Sequence, residues 1–216
     1  MGPGRSPSRR RRLRVAGLLL VFCGIALLGG GTGYFIYGFK AHADLGRLNY
    51  AGSTFQVCKD APPVGSLPPA THILIPAIGV DSPVEELSIN DLGDSRSYET
   101  PKHVVGHIPE TANAGEKGTT WFFGHLESPI KGEGSVFHDL PQIPEMLYNE
   151  EEVYAVLESA EGGFLYRLTG SEVLAEDDLR LYDTGEASIR LVTCVPPFYY
   201  DYRLIIWGEL VGVDGG

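Results

Sequence analysis

The longest apolar stretch of the chain lies near its N-terminus. Val15–Phe39 is a run of 25 residues without a charged side chain. A helix of that length spans roughly 37 Å at about 1.5 Å per residue, which is enough to cross a bilayer core about 30 Å thick. The pattern therefore predicts one transmembrane helix over residues 15–39. A buried core helix is the weaker interpretation, because soluble helices seldom run this long without a charge.

Beyond residue 70 the apolar residues come in short runs separated by turn-forming residues. The predicted strands cover residues 73–78, 119–123, 152–157, 164–168, 188–193 and 204–211. The third and fourth of these are predicted to form a hairpin around Gly162-Gly163. Few segments repeat with a helical period, so the predicted fold class is mainly β, a barrel or sandwich with short helices.

Between these regions, residues 40–70 are predicted to be a spacer. Its segment 61–69 contains four prolines, which favour an extended, semi-stiff polyproline II conformation. The predicted organisation is a basic tail over residues 1–14, an anchor over residues 15–39, a proline-rich extracellular stalk over residues 40–70 and a folded domain over residues 71–216.

Charge is distributed unevenly along the chain. Residues 1–14 contain six arginines and no acidic residue, whereas the whole chain has a net charge of −11. The positive-inside rule predicts a single-pass protein of the cell membrane with a cytoplasmic N-terminus and an extracellular domain. A signal peptide cleaved at Ala41-His42-Ala43 is the competing interpretation. The acidic body argues against a nucleic-acid partner, since it would repel phosphates.

Three polar residues at predicted strand ends are candidates for chemistry. Cys194 ends one strand, Arg203 begins the last strand nine residues later, and His125 follows another strong strand. A cysteine attacks as its thiolate, and an imidazole can take up and return the proton. An arginine offers fixed donors to an oxyanion and keeps its charge. Together they would form a site for nucleophilic catalysis.

The motifs around these residues are similar to those of a known family. Arg190–Cys194, followed by Arg203, resembles the TLxTC…R signature of sortases, the cysteine transpeptidases of Gram-positive-type cell surfaces. Gly124-His125 resembles their catalytic histidine motif, and residues 75–84 look like the first strands of the family. The basic tail, single anchor and spacer also match this resemblance, which covers about residues 71–213.

The resemblance implies a closed eight-stranded sortase β-barrel preceded by one N-terminal transmembrane helix. It implies cleavage of an LPxTG-type C-terminal sorting signal between Thr and Gly, through a thioester that an amine resolves. By position, Cys194 is the expected nucleophile, His125 the general acid/base, and Arg203 the residue that stabilises the substrate carbonyl or oxyanion. Thr193 is expected to position the substrate backbone. The expected partners are surface proteins or pilins with a sorting signal, and an amine of a peptidoglycan precursor or a pilin lysine.

Two features depart from the family pattern. Arg190 occupies the position of the first Thr in TLxTC. Residues 195–202 resemble the corresponding loop of class D and E sortases in length, but lack its Pro-Tyr-Gly and Asn-x-His pattern. The aromatic-rich loop of this chain is expected to reshape the pocket.

Several alternatives remain open at this point. A non-catalytic, surface-anchored binding or assembly module would keep the fold without the chemistry, and a cysteine hydrolase would release the substrate to water. Cys194 could instead form a disulfide with Cys58, which an extracellular location permits.

No cofactor and no metal ion is expected. The spacing of His103, His107, His125 and His138 does not put two ligands on one helix face, and His107 and His138 are expected in loops or at the surface. The acidic runs 150–152 and 176–178 carry oxygens that calcium could use, which is the remaining metal alternative.

Overall fold

The computed structural model describes residues 47–57, 65–91, 96–127 and 132–214. The strands in these ranges are β1 (Arg47–Tyr50), β2 (Ser53–Val57), β3 (His72–Ile75), β4 (Val80–Glu86), β5 (Ser88–Asp91), β6 (Arg96–Glu99), β7 (Val105–His107), β8 (Thr119–Phe123), β9 (Tyr154–Ser159), β10 (Gly162–Ala175), β11 (Ser188–Val195) and β12 (Tyr202–Val213). The described part also contains one α-helix, α1 (Ile143–Tyr148), and 3-10 turns at Pro76–Ile78, Leu140–Gln142 and Glu176–Asp178.

Eight of the described strands close into a barrel. Their order around the ring is β12, β10, β9, β3, β4, β7, β8 and β11, and the pairing of β11 with β12 closes it. β4 pairs with β7 and β8 with β11 in parallel, whereas the other six pairs are antiparallel. The predicted mainly-β class and the eight-stranded closure are therefore confirmed.

Side chains alternate across the barrel wall, as the two-residue period of a strand requires. On β11, Ile189 and Leu191 join the large interior cluster, whereas Val192 belongs to a separate cluster. On β9 and β10, Val156 and Leu165 also lie outside the interior cluster, in a third group. Because parts of the wall are apolar on both sides, the barrel has an interior core and two covered outer faces.

The hairpin of β1 and β2 covers one of these outer faces. Phe55 on β2 is fully buried and packs in the cluster that contains Val156 and Leu165. β2 also pairs with the end of β12, through Gln56 and Val57. Residues 47–57 are therefore folded onto the barrel, in contrast to the stalk predicted over residues 40–70. The sequence pattern did not indicate this strand because Phe55 is the one buried residue of β2.

The end of the predicted stalk is also attached to the barrel. The Glu116 carboxylate accepts hydrogen bonds from the backbone N–H of Leu67 at 2.5 Å and of Asn113 at 2.8 Å. The Asn113 side-chain amide donates to the Leu67 carbonyl at 2.8 Å. These contacts fix the chain before it enters β3.

The other outer face belongs to β8, β11 and β12. Trp121, Val192 and Ile205 from these strands are buried together with Leu87 and Ile108. Leu179, from the connection between β10 and β11, packs against the same cluster. Leu87, Ile108 and Leu179, which cover this face, lie in connections between strands.

The β9–β10 hairpin forms as predicted, but its turn lies earlier. Gly162 pairs with Ser159, so Ala160-Glu161 make the turn and the two glycines begin β10. β10 extends to Ala175, well beyond the predicted end at residue 168. The second half of the strand is only partly buried, and its mixed pattern does not identify it as a strand.

The predicted basic tail (residues 1–14) and anchor (residues 15–39) lie outside the described residues, as does Cys58. Within the described ranges, no helix combines the length and the apolar character needed to cross a membrane.

Candidate active site

Two of the predicted site residues face each other on neighbouring strands. Cys194 on β11 is the direct antiparallel partner of Arg203 on β12. Cys194 is a free thiol of intermediate exposure, which does not support the disulfide alternative. The nine-residue separation in sequence thus becomes a cross-strand pair, because the intervening loop returns the chain directly to the next strand.

His125 is brought to the same end of the barrel by β8. β8 runs parallel to β11, with Phe123 opposite Val192. The Gly124 N–H donates to the Val192 carbonyl at 3.1 Å, which extends this register beyond the end of β8. His125 is therefore the next residue along the chain, at the level of Cys194 on the adjacent strand.

Gly124 is required by close packing rather than by its backbone angles. A Cβ atom at this position would lie 2.5 Å from the Phe137 ring and 2.8 Å from Val136. Phe137 in turn donates its backbone N–H to the His125 carbonyl at 3.0 Å. The glycine before the histidine thus allows the following segment to pack against His125 and fix its backbone.

One cleft joins these residues. It has a volume of about 370 Å³, and His125, Thr193, Cys194 and Arg203 all contribute to its lining. Most of the remaining lining is apolar, formed by Leu87, Ile108, Phe123, Leu179, Leu181 and Val192, and Thr100, Gly124 and Glu176 complete it. The cleft thus combines a polar end that contains a thiol, an imidazole and a guanidinium with an apolar trough.

Comparison of the amino-acid sequence with models of known protein families identifies the family. The family model described as the sortase domain matches residues 73–211, which is more than half of the chain. This chain belongs to the sortase family. Its closed eight-stranded barrel is accordingly the sortase fold.

Solved sortase structures resemble this sortase in fold. A lid mutant of sortase A from Corynebacterium diphtheriae matches with a TM-score of 0.51 and 19% identity, over 67% of this chain and 70% of that chain. Sortase D5 transpeptidase from Clostridium perfringens matches with a TM-score of 0.50 and 23% identity, over 67% of this chain and 79% of that chain. Sortase C1 from Streptococcus agalactiae matches with a TM-score of 0.50 and 24% identity.

The match with sortase C1 covers 65% of this chain and 66% of that chain, so this sortase spans just under two thirds of that relative. At these identities the likeness concerns the fold. No curated protein sequence matches the chain.

Opposing influences act on the thiol of the sortase. Burial raises the pKa of Cys194 above its ordinary value, the Arg203 guanidinium lowers this pKa, and the Glu176 carboxylate raises it. Burial is the largest of the three influences, because a thiolate is poorly solvated in the cleft. The thiol therefore remains mostly protonated at neutral pH, and a nearby base is needed to activate it.

The His125 imidazole is available for proton transfer. Its Nε2 atom is buried and has no hydrogen-bond partner among the described residues. Buried ring nitrogens are normally paired, so an unpaired one in a cleft beside a thiol is a free site for a proton or for a substrate group.

The Arg203 guanidinium is held by three acceptors. Its Nη1 atom donates to the carbonyls of Tyr200 at 2.7 Å and Tyr202 at 3.1 Å, and its Nη2 atom forms an ion pair with Glu176. A guanidinium has five N–H groups. The Nε–H and one Nη2–H therefore have no acceptor among the described residues and can bind a substrate.

The Thr193 hydroxyl joins two segments of the site. Its side chain is 2% exposed, and its hydroxyl donates to the Gly124 carbonyl at 2.9 Å. This bond ties the strand of Cys194 to the residue before His125. We therefore expect Thr193 to hold the two reactive side chains in register, and its contact with the substrate backbone stays a prediction.

Arg190, the departure from the family signature, holds one wall of the cleft. Its Nε donates to the Tyr182 hydroxyl at 3.0 Å, and its guanidinium lies 5.2 Å from the Tyr182 ring centroid and 5.9 Å from that of Trp207. The Trp121 indole N–H donates to the Tyr182 carbonyl at 3.1 Å. These contacts fix Tyr182, which directly follows Leu181 in sequence, and Leu181 is part of the cleft lining.

The aromatic loop between Cys194 and Arg203 joins two residues of the cleft lining. Phe198 and Tyr199 are exposed, whereas the Tyr200 hydroxyl donates to the Glu127 carbonyl at 3.3 Å. This contact joins the loop to the segment that follows His125. The contact therefore links the β11–β12 connection to the segment that follows β8.

The other histidines do not join this site. His107, expected in a loop or at the surface, lies in β7 and is almost fully buried, with Nε2 3.2 Å from the Ala112 carbonyl. Burial lowers the pKa of His107. Within the described residues, no group of three or more His, Cys, Asp or Glu side chains has a metal-binding arrangement.

Proposed function

We propose that this sortase cleaves an LPxTG-type C-terminal sorting signal between Thr and Gly and transfers the acyl group to an amine. The observation that supports this proposal is the cross-strand pair of Cys194 and Arg203 beside His125 in a single cleft. The nucleophile, the proton carrier and the oxyanion donor of an acyl transfer are thus all available.

In the proposed acylation step, Cys194 Sγ attacks the Thr carbonyl carbon as His125 takes up the thiol proton. The carbonyl oxygen becomes an oxyanion, which accepts hydrogen bonds from the free N–H groups of Arg203. His125 then returns the proton to the Gly nitrogen, and the Thr–Gly bond breaks. The products are a thioester on Cys194 and a released peptide with a Gly N-terminus.

In the proposed second step, an uncharged amine attacks the thioester carbonyl. His125 takes up a proton from the attacking nitrogen and returns it to the Cys194 sulfur as the carbon–sulfur bond breaks. The products are the free thiol and a Thr–amine amide. We propose that the amine belongs to a peptidoglycan precursor or to a pilin lysine. Water in place of the amine would give a hydrolase.

The apolar trough supports a signal whose leading side chains are apolar. Six apolar side chains line the cleft, whereas Glu176 and Arg203 are the two carboxylate or guanidinium side chains of its lining. Transfer of apolar surface from water to such a wall is worth roughly 25 cal/mol per Å². A Leu-Pro segment before the scissile residue would fit this chemistry.

We further propose that residues 15–39 anchor the protein in the cell membrane, with a cytoplasmic N-terminus and an extracellular barrel. The support is the uncharged run itself and the arginines that precede it. If the proposal is correct, deletion of residues 1–39 will release the protein from membrane pellets at high salt, and recovery of both forms in the same fraction would contradict it.

The activity is tested with the full-length protein, a panel of fluorogenic LPxTG and LAxTG peptides, and an added amine. Mass spectrometry is expected to detect a Thr-terminated acyl product joined to the amine, and Cys194→Ala is expected to reduce turnover to background with an unchanged melting temperature. Cys58→Ala is the matched thiol control and should retain activity.

Two results would contradict the proposal. Normal turnover by Cys194→Ala would exclude the assigned nucleophile. A product that contains only the free Thr carboxylate, even at saturating amine, would favour the hydrolase.

A further inference from the structure

A carboxylate contacts the guanidinium of the candidate active site. Glu176 Oε1 forms an ion pair with Arg203 Nη2, and the Glu176 side chain is 61% exposed whereas that of Arg203 is 14% exposed. Glu176 also contributes to the lining of the cleft. The sequence motifs around Cys194, His125 and Arg203 do not include this residue.

The position of Glu176 is set by the sheet. Leu174 on β10 pairs with Arg203 on β12, and Ala175 pairs with Tyr202. Immediately after the strand ends, the Glu176 N–H donates to the Asp201 carbonyl at 2.9 Å. The backbone of Glu176 is therefore fixed beside Arg203. Only the side-chain torsions of Glu176 then have to be fixed for its carboxylate to reach the guanidinium.

Arg203 is oriented without this carboxylate. Two backbone carbonyls, those of Tyr200 and Tyr202, already accept hydrogen bonds from its Nη1 atom. The Glu176 carboxylate instead occupies one of the remaining N–H groups and offsets the positive charge. The negative charge of the carboxylate opposes the formation of a thiolate and of an oxyanion at the same place.

We propose that Glu176 restrains this active site: it competes with the substrate for Arg203 and disfavours negative charge at Cys194 and at the oxyanion. The substrate carbonyl can bind the free N–H groups of Arg203, and it gains a further donor and the full guanidinium charge when the carboxylate leaves Nη2. The part of this inference that concerns Arg203 and the substrate rests on the proposed function, whereas the part that concerns the thiol does not.

The matched pair of variants is Glu176→Gln and Asp177→Asn in the full-length protein. Each variant removes one negative charge from the same 3-10 turn, but Asp177 does not line the cleft. The first measurement is the rate at which iodoacetamide alkylates Cys194 at a fixed pH, followed by mass spectrometry of the peptide that contains it. The second is kcat/KM with an LPxTG peptide and an added amine.

Glu176→Gln is expected to increase both rates about two- to five-fold, the range that a partly exposed ion pair of up to ~1 kcal/mol allows. Asp177→Asn is expected to leave both rates unchanged. The increase in kcat/KM should come with a lower KM, since the substrate no longer competes with the carboxylate.

A lower kcat/KM in Glu176→Gln would overturn the proposal and make Glu176 a residue that orients Arg203. An equal effect of Asp177→Asn would overturn it in favour of the general acidic field. If neither the wild type nor the variants cleave any peptide, the proposed function fails separately. The alkylation rates then still decide whether Glu176 acts on the thiol.

Discussion

The two outer faces of the barrel have similar walls but different covers. On one face, Val156 and Leu165 are sealed by a hairpin that inserts Phe55 and pairs with β12. On the other, Val192 and Ile205 are covered by loops that leave a cleft of about 370 Å³. The first face therefore adds to the stability of the fold. The second buries its apolar residues less completely and provides a binding site.

The difference lies in how each cover is held. A paired strand fixes its side chains through a regular ladder, so its apolar residue packs without gaps. The loops over the cleft are held by isolated side-chain contacts, such as those of Arg190 with Tyr182. Substitutions on the first face should thus change stability alone, whereas substitutions around the second should change activity more than stability.

The largest effect is expected on the sealed face. Phe55→Ala removes a fully buried ring and should lower the free energy of unfolding by about 3–5 kcal/mol, as other Phe-to-Ala changes do in cores. Activity per folded molecule should be unchanged, because the hairpin does not line the cleft. Denaturant unfolding and kcat/KM, measured on the same sample, check both expectations.

The control for this change is Val57→Ala, on the same strand at an exposed position. It should cost much less stability than Phe55→Ala. A loss of kcat/KM in Phe55→Ala that exceeds the unfolded fraction would show that the two faces are coupled.

The next largest effect is expected where the open face meets the barrel wall. In Gly124→Ala, the new Cβ would clash with Phe137, at a cost of about 1–3 kcal/mol for overpacking. Because His125 follows directly, kcat/KM should fall by up to about 100-fold, as a misplacement of about 1 Å can cause. Stability by thermal unfolding and kcat/KM at a fixed temperature would be compared. Unchanged kcat/KM with lowered stability would contradict the role assigned to this glycine.

A smaller effect is expected at Thr193. Thr193→Val removes the hydrogen bond to the Gly124 carbonyl, which is worth about 0.5–1.5 kcal/mol. We expect kcat to fall while KM changes little, because the hydroxyl holds the reactive groups in register. Thr193→Ser keeps the hydroxyl and should restore most of kcat. A change confined to KM would instead favour direct contact with the substrate.

The smallest effect is expected in the titration of the thiol. Since Arg203 lowers the pKa of Cys194, Arg203→Gln should raise this pKa and move the alkylation profile of Cys194 towards higher pH. The thiolate fraction at a given pH below the midpoint would then decrease. Alkylation rates as a function of pH measure the shift, and a move to lower pH would contradict the assigned charge effect.

Local sequence was sufficient for the centre of the site. Strand β11, the turn after Cys194 and strand β12 follow from short β-branched runs and the Pro196-Pro197 pair, and the antiparallel return then brings Arg203 opposite Cys194. The strand before His125 is equally clear as a local pattern, but its parallel pairing with β11 becomes apparent only from the tertiary structure.

Other features depend on contacts between distant segments. Glu176 is 27 residues before Arg203 in sequence, and it reaches the guanidinium because β10 continues past its expected end. From the sequence alone, Arg190 is a mismatch to the motif. In the structure, its guanidinium lies over the Tyr182 ring, which explains an arginine at this position. The β1–β2 hairpin has a single buried anchor at Phe55, which is too weak a periodic signal to distinguish from a linker.

The pairing of β2 with the last residues of β12 also has a consequence for how the protein can be produced. A version that begins at residue 71 would lack both strands of the hairpin, and would leave Gly212 and Val213 without their neighbours on β2. Unpaired strand edges beside an uncovered apolar surface invite intermolecular pairing and aggregation. A truncated version that begins just before Arg47 retains the hairpin, so it should stay monodisperse.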